Sequence, residues 1–313
     1  MKTITLRQIR VFVAVARDLS FARAAESLHL TAPAVSMQIK ELEAKIQLPL
    51  FVRAGRKVAL TSAGEYFLVH ARKTLSSLKE AEDSMARFAR LDAGRLTVGM
   101  VSTANYFVPK MLARFHDDHP GVEIKLRVTQ NRQQMFDLLG ANEIDLAIMG
   151  RPPENFATRA EAFAAHPFVF VAPPDHELLD EERPPPIALN RYGFIVRESE
   201  SGTRNAMHRY FHEHRISPPI LMEMSSNEAI KQAVIANIGL AFLSLHTVRL
   251  ELSNELIRIV PVQHTPVMRV WYVVSMSNRV LSPSAEAFRD FVLKRGEQWL
   301  AELDKPFLDA MTV

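Results

Sequence analysis

The sequence predicts a small helical module with a β wing, then a long linker helix, then a two-lobed α/β domain. Three observations carry this: helical apolar spacing with excess cations at the N-terminus, one long amphipathic stretch after it, and alternating short apolar runs and helices beyond Gly94. With 313 residues the chain can form two or more domains, each with its own core. Its 48% hydrophobic and 23% charged residues exclude a disordered chain or a fibre. No apolar run approaches the roughly 20 residues of a bilayer span, and residues 11–16 are too short and too charge-flanked for a signal peptide, so a cytoplasmic location is expected. The absence of cysteine removes disulfides, thiolate catalysis and Cys-based metal sites.

In the first helix Leu6, Ile9, Val13 and Ala16, joined by Phe12, form an apolar stripe that ends near Asp18. Ser20 caps a short second helix whose Ala24, Ala25 and Leu28 allow close contact, and a turn follows at His29 and Leu30. Thr31 caps the third helix, with Pro33 in its first turn. Val35, Ile39, Leu42 and Ile46 fall on one face of that helix, which turns Pro33, Ser36, Met37 and Lys40 to the other. Two short strands around Gly55 then carry Arg53, Arg56 and Lys57. Residues 1–90 hold 15 Lys/Arg against 8 Asp/Glu, +7, whereas residues 91–313 hold 23 against 27, −4. A basic module with an exposed helix and a cationic wing suits a duplex: the helix reads base edges, and the cations release counterions from phosphates. Thr31, Pro33, Ser36, Met37, Lys40, Arg53, Arg56 and Lys57 are the candidate DNA contacts.

Ser62 with Glu65 forms a capping box, and the helix it opens runs to about Ala89. Leu68, Ala71, Leu75, Leu78 and Met85 keep heptad-like spacing with Glu82 interrupting, a seam for a second copy of the chain. The expected divisions are a winged helix-turn-helix over 1–60 (helix-turn-helix about 21–40), a linker and dimerisation helix over 61–90, and an α/β domain over 91–313. That domain has one lobe at 91–163 with 267–303 and another at 164–266.

In the α/β domain, strands at 96–100, 122–128 and 146–149 alternate with helices at 107–118 and 132–139, implying parallel β-α-β units. A second series begins near Phe168 and runs through strands at 194–196, 220–224 and 241–245 and helices at 202–214 and 227–236. A strand at 267–274 and a helix at about 284–303 return to the first lobe. Ligands of open α/β sheets bind beyond the carboxyl ends of strands. Ser102, Thr103, Asn105, Thr129, Gln130, Asn131, Ser201, Gly202, Thr203, Arg204, Ser226 and Asn227 lie at such points, and their hydroxyls, amides and one guanidinium make a candidate anion site. Many of them are also plain helix caps. No metal site, cofactor or catalytic motif is found among the eleven histidines and the carboxylates.

Phe21-x-x-Ala24-Ala25-x-x-Leu28, Pro33-Ala34-Val35-Ser36-x-Gln38-Ile39-x-x-Leu42-Glu43, Pro49-Leu50-Phe51-x-Arg53 and Leu60-Thr61-x-Ala63-Gly64 resemble the N-terminal signature of LysR-type transcriptional regulators. Ala32 departs from it, standing where many members carry Gln or another polar side chain. Met149-Gly150-Arg151-Pro152-Pro153-Glu154, 226–234, 242–247 and Trp271-Tyr272-Val273-Val274 are similar to the regulators of Calvin-cycle (RuBisCO) operons within that family. The resemblance implies a periplasmic-binding-protein-like effector domain and promoter DNA as partner. It also implies a homodimer or homotetramer, contact with RNA polymerase, and an effector such as a phosphorylated sugar, phosphoenolpyruvate or NADPH. A carboxylate-responsive regulator of another operon and a solute receptor without DNA function are the alternatives.

Overall fold

The computed structural model describes residues 4–54, 57–89, 94–129, 132–152 and 157–311. The chain forms two compact units, Met1–Leu91 with Gly140–Glu143, and Asp92–Leu139 with Ile144–Val313.

The first unit contains α1 (Leu6–Asp18), α2 (Phe21–Ser27), α3 (Ala32–Ile46), the hairpin β1 (Phe51–Ala54) and β2 (Lys57–Leu60), and α4 (Ser62–Ala89). A capping box between Thr5 and Gln8 opens α1, and the buried Gln8 amide also reaches Glu41 at 3.1 Å while its carbonyl accepts from Lys45 at 3.0 Å. The face of α1 that is buried carries Val11, Phe12, Ala14 and Val15; of the expected stripe Phe12 is inside, Ile9 and Val13 pack at the edge of the core, Ala16 is half-buried and Leu6 is exposed. Phe12 explains this choice of face. Its ring packs between Phe51 at 5.3 Å and Phe67 at 4.9 Å, and that bulk fixes which face turns inward.

Ser20 and Thr31 cap α2 and α3 as expected, and His29 takes a left-handed φ of 54° in the turn between them. Val35, Ile39 and Leu42 join the core of α1, and the Glu43 carboxylate accepts from the Leu50 and Phe51 amides at 2.8 and 3.2 Å, anchoring the wing to α3. The cap of α4 is Thr61 and not Ser62: its hydroxyl accepts from Gly64 N at 3.0 Å and donates to Pro49 O at 2.7 Å. The helix therefore starts one residue earlier than the capping box implied. Gly64 is required there, because a Cβ would stand 2.1 Å from Leu50 O.

The second unit runs through β3 (Gly94–Val101), α5 (Val108–Asp118), β4 (Val122–Thr129), α6 (Arg132–Gly140), β5 (Leu146–Met149), β6 (Thr158–Ala172), β7 (Phe194–Arg197) and α7 (Gly202–Glu213). It continues with β8 (Ile220–Met224), α8 (Asn227–Ile235), β9 (Leu240–Ser244), α9 (Leu245–Ser253), β10 (Arg258–Val260), β11 (Val267–Met276) and α10 (Pro283–Asp309). The sheet order is β4-β3-β5-β11-β6-β9-β7-β8, with β10 on β6. β3 pairs parallel with β4 and β5, and β7 with β8 and β9. The two longest strands, β6 and β11, pair antiparallel from Thr158↔Met276 to Val267↔Phe168 and join two α/β halves, each with its own core. β6 starts ten residues before its expected start near Phe168, because 158–167 is rich in Ala and charge and takes its strand form from pairing. α9 and β10 were not anticipated, and α10 runs six residues past its expected end.

Candidate functional site

Two surfaces concern function. On α3 the structure leaves Thr31, Pro33 and Lys40 exposed, Met37 55% exposed and Ser36 half-exposed, while Val35, Ile39 and Leu42 are inside. The helix thus offers a polar, basic face that begins at its N-terminus. For Arg53 and Lys57 only the backbone is described, paired in the hairpin with Val58 and Ala54, and Arg56 lies outside the described residues.

The second surface is a cleft of about 350 Å³ between the halves of the α/β unit. Ser102 and Thr103 line it from the end of β3, Gly150 and Arg151 from the end of β5, Ser201, Gly202 and Thr203 from the start of α7, and Arg269 and Trp271 from β11. Ser201 caps α7, its hydroxyl accepting from Thr203 N at 3.2 Å. Arg132, Arg151, Arg197, Arg209 and Arg269 contribute five guanidiniums against the carboxylates of Glu200 and Glu213. Arg269 reaches across, donating to Gly202 O at 2.9 Å and Gly150 O at 3.4 Å. Burial pulls the Arg269 guanidinium below its ordinary range, and repulsion from Arg209, Arg151 and Arg132 pulls it further. Charge of one sign concentrated in a low-dielectric cleft favours an anion.

Of the residues expected at the cleft, Ser102, Thr103, Ser201, Gly202 and Thr203 line it. Asn105, Thr129, Arg204, Ser226 and Asn227 do not. Arg204 turns to Arg197 O at 2.9 Å and Glu223 at 3.6 Å, so the guanidinium that follows β7 in sequence braces that strand. Asn227 accepts from the buried Arg197 at 2.6 Å, Ser226 caps α8, and Thr129 is buried against Met100 O. Gln130 and Asn131 lie outside the described residues. Sequence reasoning missed Arg132, Arg151, Arg209, Arg269 and His166. Arg151 lies inside the Met149–Glu154 motif, and nothing local marks Arg269, near the start of β11, or His166, in the middle of β6.

The model of the bacterial regulatory helix-turn-helix protein of the lysR family matches residues 6–65, and that of the LysR substrate binding domain matches residues 89–297. The chain belongs to the LysR family of transcriptional regulators. Among LysR relatives, a RuBisCO operon transcriptional regulator of Allochromatium vinosum is 44% identical over 93% of this chain and 96% of that protein. The regulatory domain of CcmR from Synechocystis PCC6803, solved in complex with 2-PG, is 36% identical with a TM-score of 0.61, covering 64% of this chain and 96% of that one. Full-length CbnR, solved with its target DNA, shares the fold at 20% identity and a TM-score of 0.70, covering 93% of this chain and 98% of that one. The first match encloses α1 to the start of α4, and the second takes in the whole nine-stranded sheet.

Proposed function

We propose that this LysR regulator controls carbon-fixation genes from a promoter site and that a small phosphorylated anion in the arginine-lined cleft modulates its hold on DNA. The observation that carries this reading is the convergence of Arg132, Arg151, Arg209 and Arg269 on one cleft with Ser201 and Thr203, a set suited to phosphoryl and carboxylate oxygens. The relative that binds 2-PG supplies the ligand to try first.

In this reading Thr31, Pro33, Ser36, Met37 and Lys40 enter the major groove, and Arg53, Arg56 and Lys57 follow phosphate. A second copy of the chain, expected in the cytoplasm, packs on α4, where Tyr66 is 73% and Val69 60% exposed; the Leu68 and Ala71 end of the expected seam is used in the unit's own core. Closing the cleft on the effector changes the spacing of paired DNA-binding units, and RNA polymerase reads the altered DNA. A coupling of about 1–3 kcal/mol is enough for such a switch.

Calorimetric titration with 2-phosphoglycolate, and gel-shift titration of DNA upstream of a carbon-fixation operon with and without it, test the proposal. Binding is expected to weaken at least about tenfold in R209A, since Arg209 has no ion-pair or hydrogen-bond partner among the described residues and is available to the ligand. No heat of binding and an unchanged DNA isotherm would overturn it.

A further inference from the structure

We infer that His166 is a specificity-determining residue of the cleft, donating its Nδ1–H to an oxygen of the bound anion. The inference rests on the phosphorylated-effector reading above and names one group that performs the recognition. His166 lines the cleft from β6, and its ring is held on three sides. It stacks on Trp271 with centroids 3.9 Å apart and 16° between planes, packs on Phe168 at 4.3 Å, and places Nε2 3.0 Å from Ser244 Oγ. Nδ1 is buried and has no hydrogen-bond partner among the described residues, and the same holds for Nε1 of Trp271 in the stacked ring. Gly150, which also lines the cleft, lies beside the imidazole: a Cβ there would stand 3.2 Å from Nδ1, a crowding that glycine avoids. Buried polar atoms are almost always paired, and two orphans in adjoining rings that both line a cleft mark a ligand contact.

Ser244 supports the tautomer that this assignment uses: with its hydroxyl donating to Nε2, the ring proton is on Nδ1. Burial, and then the nearness of His246 and Arg269, keep the imidazole uncharged. The guanidiniums supply charge to the cleft, whereas His166 supplies a fixed, uncharged donor. A ligand that presents an acceptor oxygen at this point is accepted, and one that presents a donor or a methyl group leaves Nδ1 unsatisfied.

The test is calorimetric titration of 2-phosphoglycolate into the full chain and into H166F and H166N. Phe keeps the aromatic stack and lacks both nitrogens, whereas Asn returns an amide donor near the place of Nδ1. Affinity is expected to fall about tenfold or more in H166F and to return to within about threefold in H166N. Binding by H166F within about twofold of the unsubstituted chain would make the ring a core group only, and a loss in H166N as large as in H166F would mean that a donor returned at this place does not restore recognition. Either result overturns this assignment alone. No binding by the unsubstituted chain overturns the effector reading as well.

Discussion

Lys231 shows how a single residue couples chemistry to stability. Its side chain is 3% exposed in α8, and its ammonium lies 2.7 Å from the buried Glu251 carboxylate of α9, 2.8 Å from Glu228 and 4.9 Å from the Tyr106 ring centre. The Tyr106 hydroxyl donates to the same Glu228, and burial followed by that carboxylate pushes the phenol well above its ordinary range. Removing one partner of such a pair leaves a buried charge uncompensated. K231A is therefore expected to lower unfolding free energy by about 3–5 kcal/mol, read as a shifted midpoint in urea. Replacing Lys231 and Glu251 together with Met and Leu should recover most of that loss, because the desolvation cost disappears along with the attraction. In the sequence Lys231 is one residue of the 226–234 stretch with nothing to mark it as buried, and its partner Glu251 is on another element.

At the scale of elements, α3 divides its work between faces. Val35, Ile39 and Leu42 hold it in the unit's core, so S36A and K40A, on the outer face, should leave folding intact. S36A is expected to narrow the preference for operator over random DNA, while K40A should weaken both alike and reduce the salt slope by about one phosphate contact. Gel shifts over a salt series separate the two outcomes. The joint between hairpin and α4 is steric. Gly64 faces Leu50 O so closely that G64A must move one of the two backbone segments, and a loss of about 1–3 kcal/mol is expected from thermal melts. This residue was visible in the sequence only as part of a motif, whereas the structure gives the reason that the motif carries glycine.

For the whole molecule, acid should destabilise the α/β unit. Burial holds His166 well below its ordinary value of 6.5, and His176 and His208 are lowered in the same direction, also chiefly by burial. The unfolded chain therefore binds protons that the folded chain refuses. Stability is fully present above the ordinary histidine value and is lost as pH falls through it, so melting temperature should drop between about pH 7.5 and 5.5. H166F should flatten that curve. Assembly is the other property at this scale: V69D puts a charge on the exposed face of α4 and should shift the chain towards monomer in analytical ultracentrifugation.

The sequence alone determined the elements whose cause is local: caps at Ser20, Thr31 and Ser201, the buried stripe of α3, the basic excess of residues 1–90 and the β-α alternation after Gly94. Only the tertiary structure decided which face of α1 turns inward, because Phe12 must meet Phe51 and Phe67, which lie far along the chain. It also decided the cleft. Arg269 and His166 are brought there by antiparallel pairing of β6 with β11, where Arg269 opposes His166 across the ladder, and which strand pairs with which is a property of the whole sheet that neither segment carries by itself.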